Sequence, residues 1–373
     1  MTAPLVDCPH CGSVVPEGNF CGHCGAHLAS GSTRRTHAFA AVPSERVARL
    51  AIISTLLPHL PRRSGGAFQV ALLGGAALVV LLAALHLFAP ATVAAVLVLP
   101  VLYLLYLYEV EVYETEPWLV IGATMVLGAL LGLGFAILTG GTLSELALTG
   151  DRTAGLLLSG VAVPVLAQAL MLAGPLFLYQ FRSRFNHPLD GLTFGAASGL
   201  GFSLASSLAA FWPLLTEPLV ASGSPLDWAL RLTRAGLFVS LINACTTALV
   251  AAAVWLQRYD RRRTHPWHTS ILVTVAVVLV VRIAVGVVGF FTGDLIVDVT
   301  VLAIVAFALL VYLRVVIHDA LLVEGAAHEI GPDAECPECH HVVPTMAFCP
   351  NCGASRTAQP KQPHPPHPKV AQA

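Results

Sequence analysis

The chain has 373 residues, of which 56% are apolar and only 11% charged, a balance that excludes an ordinary water-soluble domain. Its formal net charge of −1 at pH 7 leaves no electrostatic footprint for nucleic acid. Several runs approach the roughly twenty apolar residues that a helix needs to cross hydrocarbon, so the composition implies a polytopic protein in contact with a lipid bilayer.

The chain opens on a polar, cysteine-bearing segment, and the first apolar run begins only near Ala67, so no signal peptide is expected. Residues 1–29 contain Cys8-Pro-His-Cys11-Gly and Phe20-Cys21-Gly-His-Cys24-Gly25. The same pattern returns near the other end, in 336–353, as Cys336-Pro-Glu-Cys339 and Phe348-Cys349-Pro-Asn-Cys352-Gly353. Each copy has a Val-Val-Pro turn and nine residues between its cysteine pairs. A two-residue gap lets both thiolates of a knuckle face one tetrahedral ion, and glycine after a knuckle permits the tight turn. Four thiolates close the coordination shell, so the spacing predicts two structural Zn²⁺ sites with no position for water or substrate. Iron is the rival metal. Such short segments cannot build a core, so metal should drive their folding. Docking a protein partner, pairing with each other and simply protecting the termini are all compatible roles. His10, His23, His340 and His341 flank the cysteines and are expected outside the ligand set.

From 30 to 66 the chain is a basic linker carrying Arg34, Arg35, Arg46, Arg49, Arg62 and Arg63, with a short amphipathic helix expected over Ser44–Leu57. Eight apolar spans follow, at Ala67–Phe88, Ala91–Tyr108, Trp118–Thr139, Gly155–Tyr179, Gly191–Trp212, Gly236–Leu256, Ser270–Phe291 and Leu295–Ile317. The first two read as a tight hairpin near Pro90, or as one broken helix, which would leave seven. With eight spans, arginine concentrates on the side that holds both termini, and only Arg152, Arg231 and Arg234 fall opposite. That bias places both ends in the cytoplasm of a cell with these spans in its plasma membrane. Cysteines spaced as ligands also suit a reducing compartment. Trp118, Trp212, Trp255 and Trp267 near span ends read as interfacial anchors. Residues 67–317 thus form the transmembrane domain, 318–335 a linker and 354–373 a disordered tail rich in Pro, His and Lys. The expected architecture is an all-α polytopic membrane protein of about eight transmembrane helices with a small zinc ribbon at each end.

The centre of the chain, Val163–Trp212, joins two apolar runs through a hinge with Arg182, Arg184, His187, Pro188, Asp190 and Gly191. Glycines at 195, 199 and 201 then allow neighbouring helices to approach closely. With Pro164, the Phe194-Gly195-Ala196-Ala197 run, Phe202 and the upstream Glu116-Pro117, this stretch resembles the PrsW family over roughly Glu116–Leu256. Those are multi-spanning membrane proteases known for cleaving anti-sigma factors and related to the prenyl-protein CAAX endopeptidases. The resemblance implies a metal-dependent intramembrane protease of a bacterial inner membrane. The residues depart from that pattern: Ala167, Gln168 and Met171 stand where the family has Glu-Glu-x-x-Lys, Ser206 where Phe-x-x-x-Glu ends, and Asn243 where a later helix supplies histidine. A metal-activated water needs lone-pair ligands and a base. These residues supply neither, so no catalytic residue is assigned.

Among other polar groups in the spans, His86 lies near a span end, and Arg282 is expected to pair with Asp294 or Asp298 or to reach one membrane face. Gln168 and Asn243 suit hydrogen bonding between helices. Asp190 is expected to cap the helix at Gly191, and Cys245 to pack as a small apolar residue. Glu109, Glu111, Glu114 and Glu116 form a solvated acidic run. Three functions follow: a non-catalytic PrsW-like scaffold or regulator binding a protein partner through its ribbons, an active PrsW-like protease cleaving membrane-anchored regulatory proteins, or a transporter. The last lacks paired broken helices and an inverted repeat.

Overall fold

The computed structural model of the protein describes residues 4–9, 12–28, 66–110, 118–149, 152–181, 185, 189–213, 224–259, 270–292, 294–325, 330–336 and 339–353. The expected helix Ser44–Leu57, the acidic residues from Glu111 to Glu116, His10, Cys11, Trp267, most of the basic hinge and the tail lie outside them. The chain forms two compact units, one holding both cysteine-bearing ends and the other, Ala67–Leu105 with Thr115–Val323, holding the membrane helices.

Helices α1 (Gly66–Ala84) and α2 (Phe88–Val110) are joined by a turn, so they are separate helices. The turn is a Schellman motif: His86 N–H donates to Ala83 O and Leu87 N–H to Leu82 O, with His86 in the left-handed region at φ 57°. His86 therefore closes a helix end. Helix α3 spans Trp118–Thr149 and α4 spans Arg152–Tyr179, the latter wound as a π-helix over Leu156–Ala162. Helix α5 is Asp190–Ala210. Helix α6 covers 225–259, with Ser224 Oγ accepting from Asp227 N–H at its start and a second π-segment over Thr233–Val239. Its beginning precedes the expected Gly236 by a full three turns. The cause is that Arg231 and Arg234, which read as loop charges, are helical, and Arg234 Nε donates to Asp298 Oδ2. Helices α7 (Ile271–Phe291) and α8 (Leu295–Gly325) complete the membrane unit.

Among the described residues, seven helices are long and apolar enough to cross a membrane, and α1 adds a shorter apolar stretch, Val70–Ala84. This is the expected all-α membrane architecture with a cysteine cluster near each end.

Helix α5 is the axis of the membrane unit. Its glycines let backbones touch on two sides. A Cβ on Gly195 would come 2.6 Å from Ala248 Cα and one on Gly199 2.6 Å from Asn243 O, both on α6. On the other side Gly201 abuts Met125 O, while Gly128 and Gly132 of α3 abut Ser198 and Phe202. Trp255 is not an interfacial anchor: only 1% exposed, it lies over Gly191 with Tyr179 against its ring. Nor does Asp190 cap α5. It is buried within the first turn, and the cap position belongs to Leu189, which offers no side-chain bond.

Candidate functional site

Two polar centres emerge, one in each unit. At the chain ends, each cysteine cluster hangs on a three-residue hairpin with identical pairing. Strand β1 (Leu5–Asp7) pairs antiparallel with β2 (Val14–Pro16), and β3 (Asp333–Glu335) pairs with β4 (Val342–Pro344). The knuckles share one turn, closed by Gly12 N–H to Cys8 O, Gly25 N–H to Cys21 O, His340 N–H to Cys336 O and Gly353 N–H to Cys349 O. All four donors have φ between 58° and 73°, the left-handed region in which His340 is the only non-glycine among them.

The sulfurs of Cys336, Cys339, Cys349 and Cys352 lie within 4.8 Å of one another, as do those of Cys8, Cys21 and Cys24. The Cys8–Cys24, Cys336–Cys352 and Cys339–Cys349 separations are each 3.8 Å. Metal–sulfur bonds of about 2.3 Å in a tetrahedron put sulfurs about 3.8 Å apart. A disulfide requires about 2.05 Å, so the donor set and spacing fit a metal ion. Hydrogen bonding from Cys24 brings the Cys21 thiol down to about 5 against the pull of burial. Burial pushes Cys339 up, but hydrogen bonds from His341, Asn351 and its fellow cysteines bring it down to about 6. Burial holds Cys349 above the usual thiol range. His340 and His341 turn aside, to Glu335 and to the Cys339 carbonyl.

The two cysteine modules also pair with each other. Phe20 N–H donates to Pro350 O at 2.9 Å, and Phe348 N–H donates to Gly22 O at 2.8 Å. Phe20 and Phe348 are equivalent in the repeat, as are Gly22 and Pro350, so the interface is isologous within a single chain. Side chains repeat the symmetry. A Cβ on Gly18 would come 2.7 Å from Pro350 O, and Met346, its counterpart, packs over Gly22.

In the membrane unit, three of the five positions that depart from the family pattern, Gln168, Met171 and Asn243, converge on Arg282. Thr274, Val278 and Arg282 form the buried face of α7. That face is drawn inward where Gly286 meets Gly160, in the π-turn of α4, with a would-be Cβ only 2.7 Å from the Gly160 carbonyl. The Arg282 guanidinium is 9% exposed and donates Nε to Gln168 Oε1 at 3.0 Å and Nη1 to Asn243 Oδ1 at 2.6 Å. Its Nη2 faces Met171 Sδ at 3.6 Å, and Thr247 Oγ1 faces the same sulfur at 3.6 Å. Gln168 and Met171 are one turn apart on α4 and so present one face. The π-segments immediately precede the stretches carrying Gln168 and Asn243, and such segments reset which residues point inward.

Arg282 therefore does not pair with Asp294 or Asp298. Asp298 is taken by Arg234, and Asp294 Oδ1 accepts from Ile296 N–H at the start of α8. Ala167 joins Met171 and Phe202 in an apolar cluster, and Ser206 bonds back to Ser203 O on its own helix. Gln168, Met171 and Asn243 are thus brought together. Gln168 Nε2 is buried, and among the described residues no hydrogen-bond acceptor is in reach. Chemically the cluster is a fixed cation held by two amide oxygens and a thioether. A divalent ion cannot share that space without displacing the guanidinium.

The family model described as PrsW family intramembrane metalloprotease matches residues 116–317. No curated protein and no solved structure matches the chain.

Proposed function

Because the chain belongs to the PrsW family of intramembrane metalloproteases, we propose that it is a member in which the catalytic metal has been replaced by an arginine, leaving a membrane scaffold or regulator that binds a protein partner. The observation that carries this reading is the Arg282 guanidinium bonded to Gln168 and Asn243, two positions at which the family supplies acid and histidine. Catalysis by a metal-bound water needs anionic or imidazole ligands, an open coordination position and a base. Here the acceptors are neutral amides, and the positive charge is already covalently present.

The metal of this protein is then zinc, in two structural sites formed by Cys8, Cys11, Cys21 and Cys24 and by Cys336, Cys339, Cys349 and Cys352. It supplies folding energy to the ribbons and no chemistry. Pairing of the ribbons supports placing both chain ends on one side of the membrane, which requires an even number of spans. Helix α1 supplies the eighth: its 19 residues rise about 28 Å at 1.5 Å each, close to the hydrocarbon thickness. The arginine bias and cysteines spaced as metal ligands favour the cytoplasmic side of a bacterial plasma membrane.

Elemental mass spectrometry of purified protein tests this reading. Two zincs per chain are expected, falling to none when all eight ribbon cysteines become serine. A third zinc that survives those substitutions would return the protein to the metalloproteases.

A further inference from the structure

We propose that the two ribbons are a single metal-assembled clamp, in which metal held by one ribbon raises the affinity of the other. The proposal rests on the reading that the thiolate clusters hold zinc. It goes further by joining two sites that lie at opposite ends of the chain.

The pairing bonds come from the backbone on either side of one cysteine in each ribbon. Cys21 stands between Phe20, which donates to Pro350 O, and Gly22, which accepts from Phe348. Cys349 stands in the same way between Phe348 and Pro350. Both cysteines are fully buried. The groups that bind the partner ribbon are therefore oriented by the knuckle that binds the ion. A segment this short has no apolar core of its own to hold that knuckle.

The second ribbon also covers a turn of the first. A Cβ on Gly25, which follows the last cysteine of the first ribbon, would lie 3.0 Å from the Phe348 ring, and that ring is 1% exposed. Ordering one knuckle thus prepays part of the ordering of its partner. Thermodynamic linkage makes the effect reciprocal, and couplings of this kind typically amount to about 5- to 150-fold in affinity. Loss of metal from either site loosens both chain ends together.

The test uses the full-length protein in detergent micelles, with Zn²⁺ removed by a competing chromophoric chelator. Cys336→Ser/Cys339→Ser abolishes the second site, and the affinity is read at the first. Gly18→Val keeps every cysteine but drives a side chain into the Pro350 carbonyl, and here the affinity is read at the second ribbon, to which Gly18 does not belong. A tetrathiolate spectrum with Co²⁺ verifies that the remaining sites still form, and faster exchange of the Phe348 amide reports that pairing is broken. At least fivefold weaker binding is expected at the unaltered ribbon in both variants. A smaller loss in either overturns the clamp. A wild type that binds two zincs independently refutes the coupling alone, whereas one that binds none refutes the zinc reading as well.

Discussion

In the second ribbon the thiols of Cys336, Cys339, Cys349 and Cys352 converge from one short segment, with sulfurs spaced for a tetrahedral ion. In the membrane unit the converging groups are two amides and a thioether, and Arg282 reaches Gln168 across 114 residues of chain. Both centres are organised around positive charge. In the first the ligands are anionic and local, so the charge must arrive as an ion. In the second they are neutral and drawn from two helices, α4 and α6, and the charge is built into a side chain of a third, α7. On the proposed reading, the helix packing of the family outlasts its metal chemistry because a guanidinium satisfies the inward-facing acceptors that an ion would otherwise hold.

The comparison breaks most severely at Arg282. Arg282→Met leaves the Gln168 and Asn243 oxygens buried without donors, and each buried acceptor left unsatisfied costs about 1–3 kcal/mol. A large drop in the unfolding midpoint of the membrane unit is expected in detergent, with ribbon zinc content unchanged. The converse variant, Gln168→Glu, removes the stranded Nε2 and gives Arg282 a carboxylate, so the midpoint should rise. If Arg282→Met is as stable as wild type, the cluster is incidental and the scaffold reading loses its support.

A smaller loss is expected where the packing itself is challenged. Gly195→Val forces a branched side chain against the backbone of Thr247 and Ala248. Overpacking of this kind costs about 1–3 kcal/mol. Because Asn243 lies on the same helix one turn away, the strain should also disturb Arg282, and Gly195→Val combined with Arg282→Met should cost less than the sum of the two. Strict additivity, measured by a double-mutant cycle, would mean that glycine packing and the cluster are independent.

Legibility in the sequence follows the same division. The ribbons could be read because all their constraints are local: ligand spacing, a turn glycine and a repeat. The spans could be read because hydrocarbon imposes a minimum apolar length. What could not be read depended on distant pairing. Asp294 and Asp298 looked like partners for Arg282 because they begin the adjoining helix, yet the actual acceptors lie on α4 and α6, rotated inward after π-segments that leave no plain signature. Trp255 looked interfacial by its place near a span end, and only the glycine opposite it, Gly191, hints that an indole must be accommodated there. Ribbon pairing had one available signal, the recurrence of Phe before the third cysteine, but a repeat does not disclose whether its copies meet.

The finest contrast lies between two otherwise equivalent knuckles. Gly12 and His340 both follow the second cysteine of their ribbon, both donate to the first cysteine's carbonyl, and both adopt positive φ, at 71° and 58°. For a residue with a Cβ that conformation costs roughly 1–2 kcal/mol, whereas glycine loses about 0.5–1 kcal/mol through its greater freedom in the unfolded chain. Against the substitution stands the contact of His340 Nδ1 with Glu335 Oε1, whose side chains are both 64% exposed, and contacts between exposed side chains contribute little. His340→Gly should therefore stabilise the second ribbon slightly, by less than about 1 kcal/mol, seen as a severalfold slower release of its zinc to chelator. If the clamp operates, part of that slowing must also appear at the first ribbon. Faster release from the second ribbon would mean that the Glu335 contact outweighs the backbone strain.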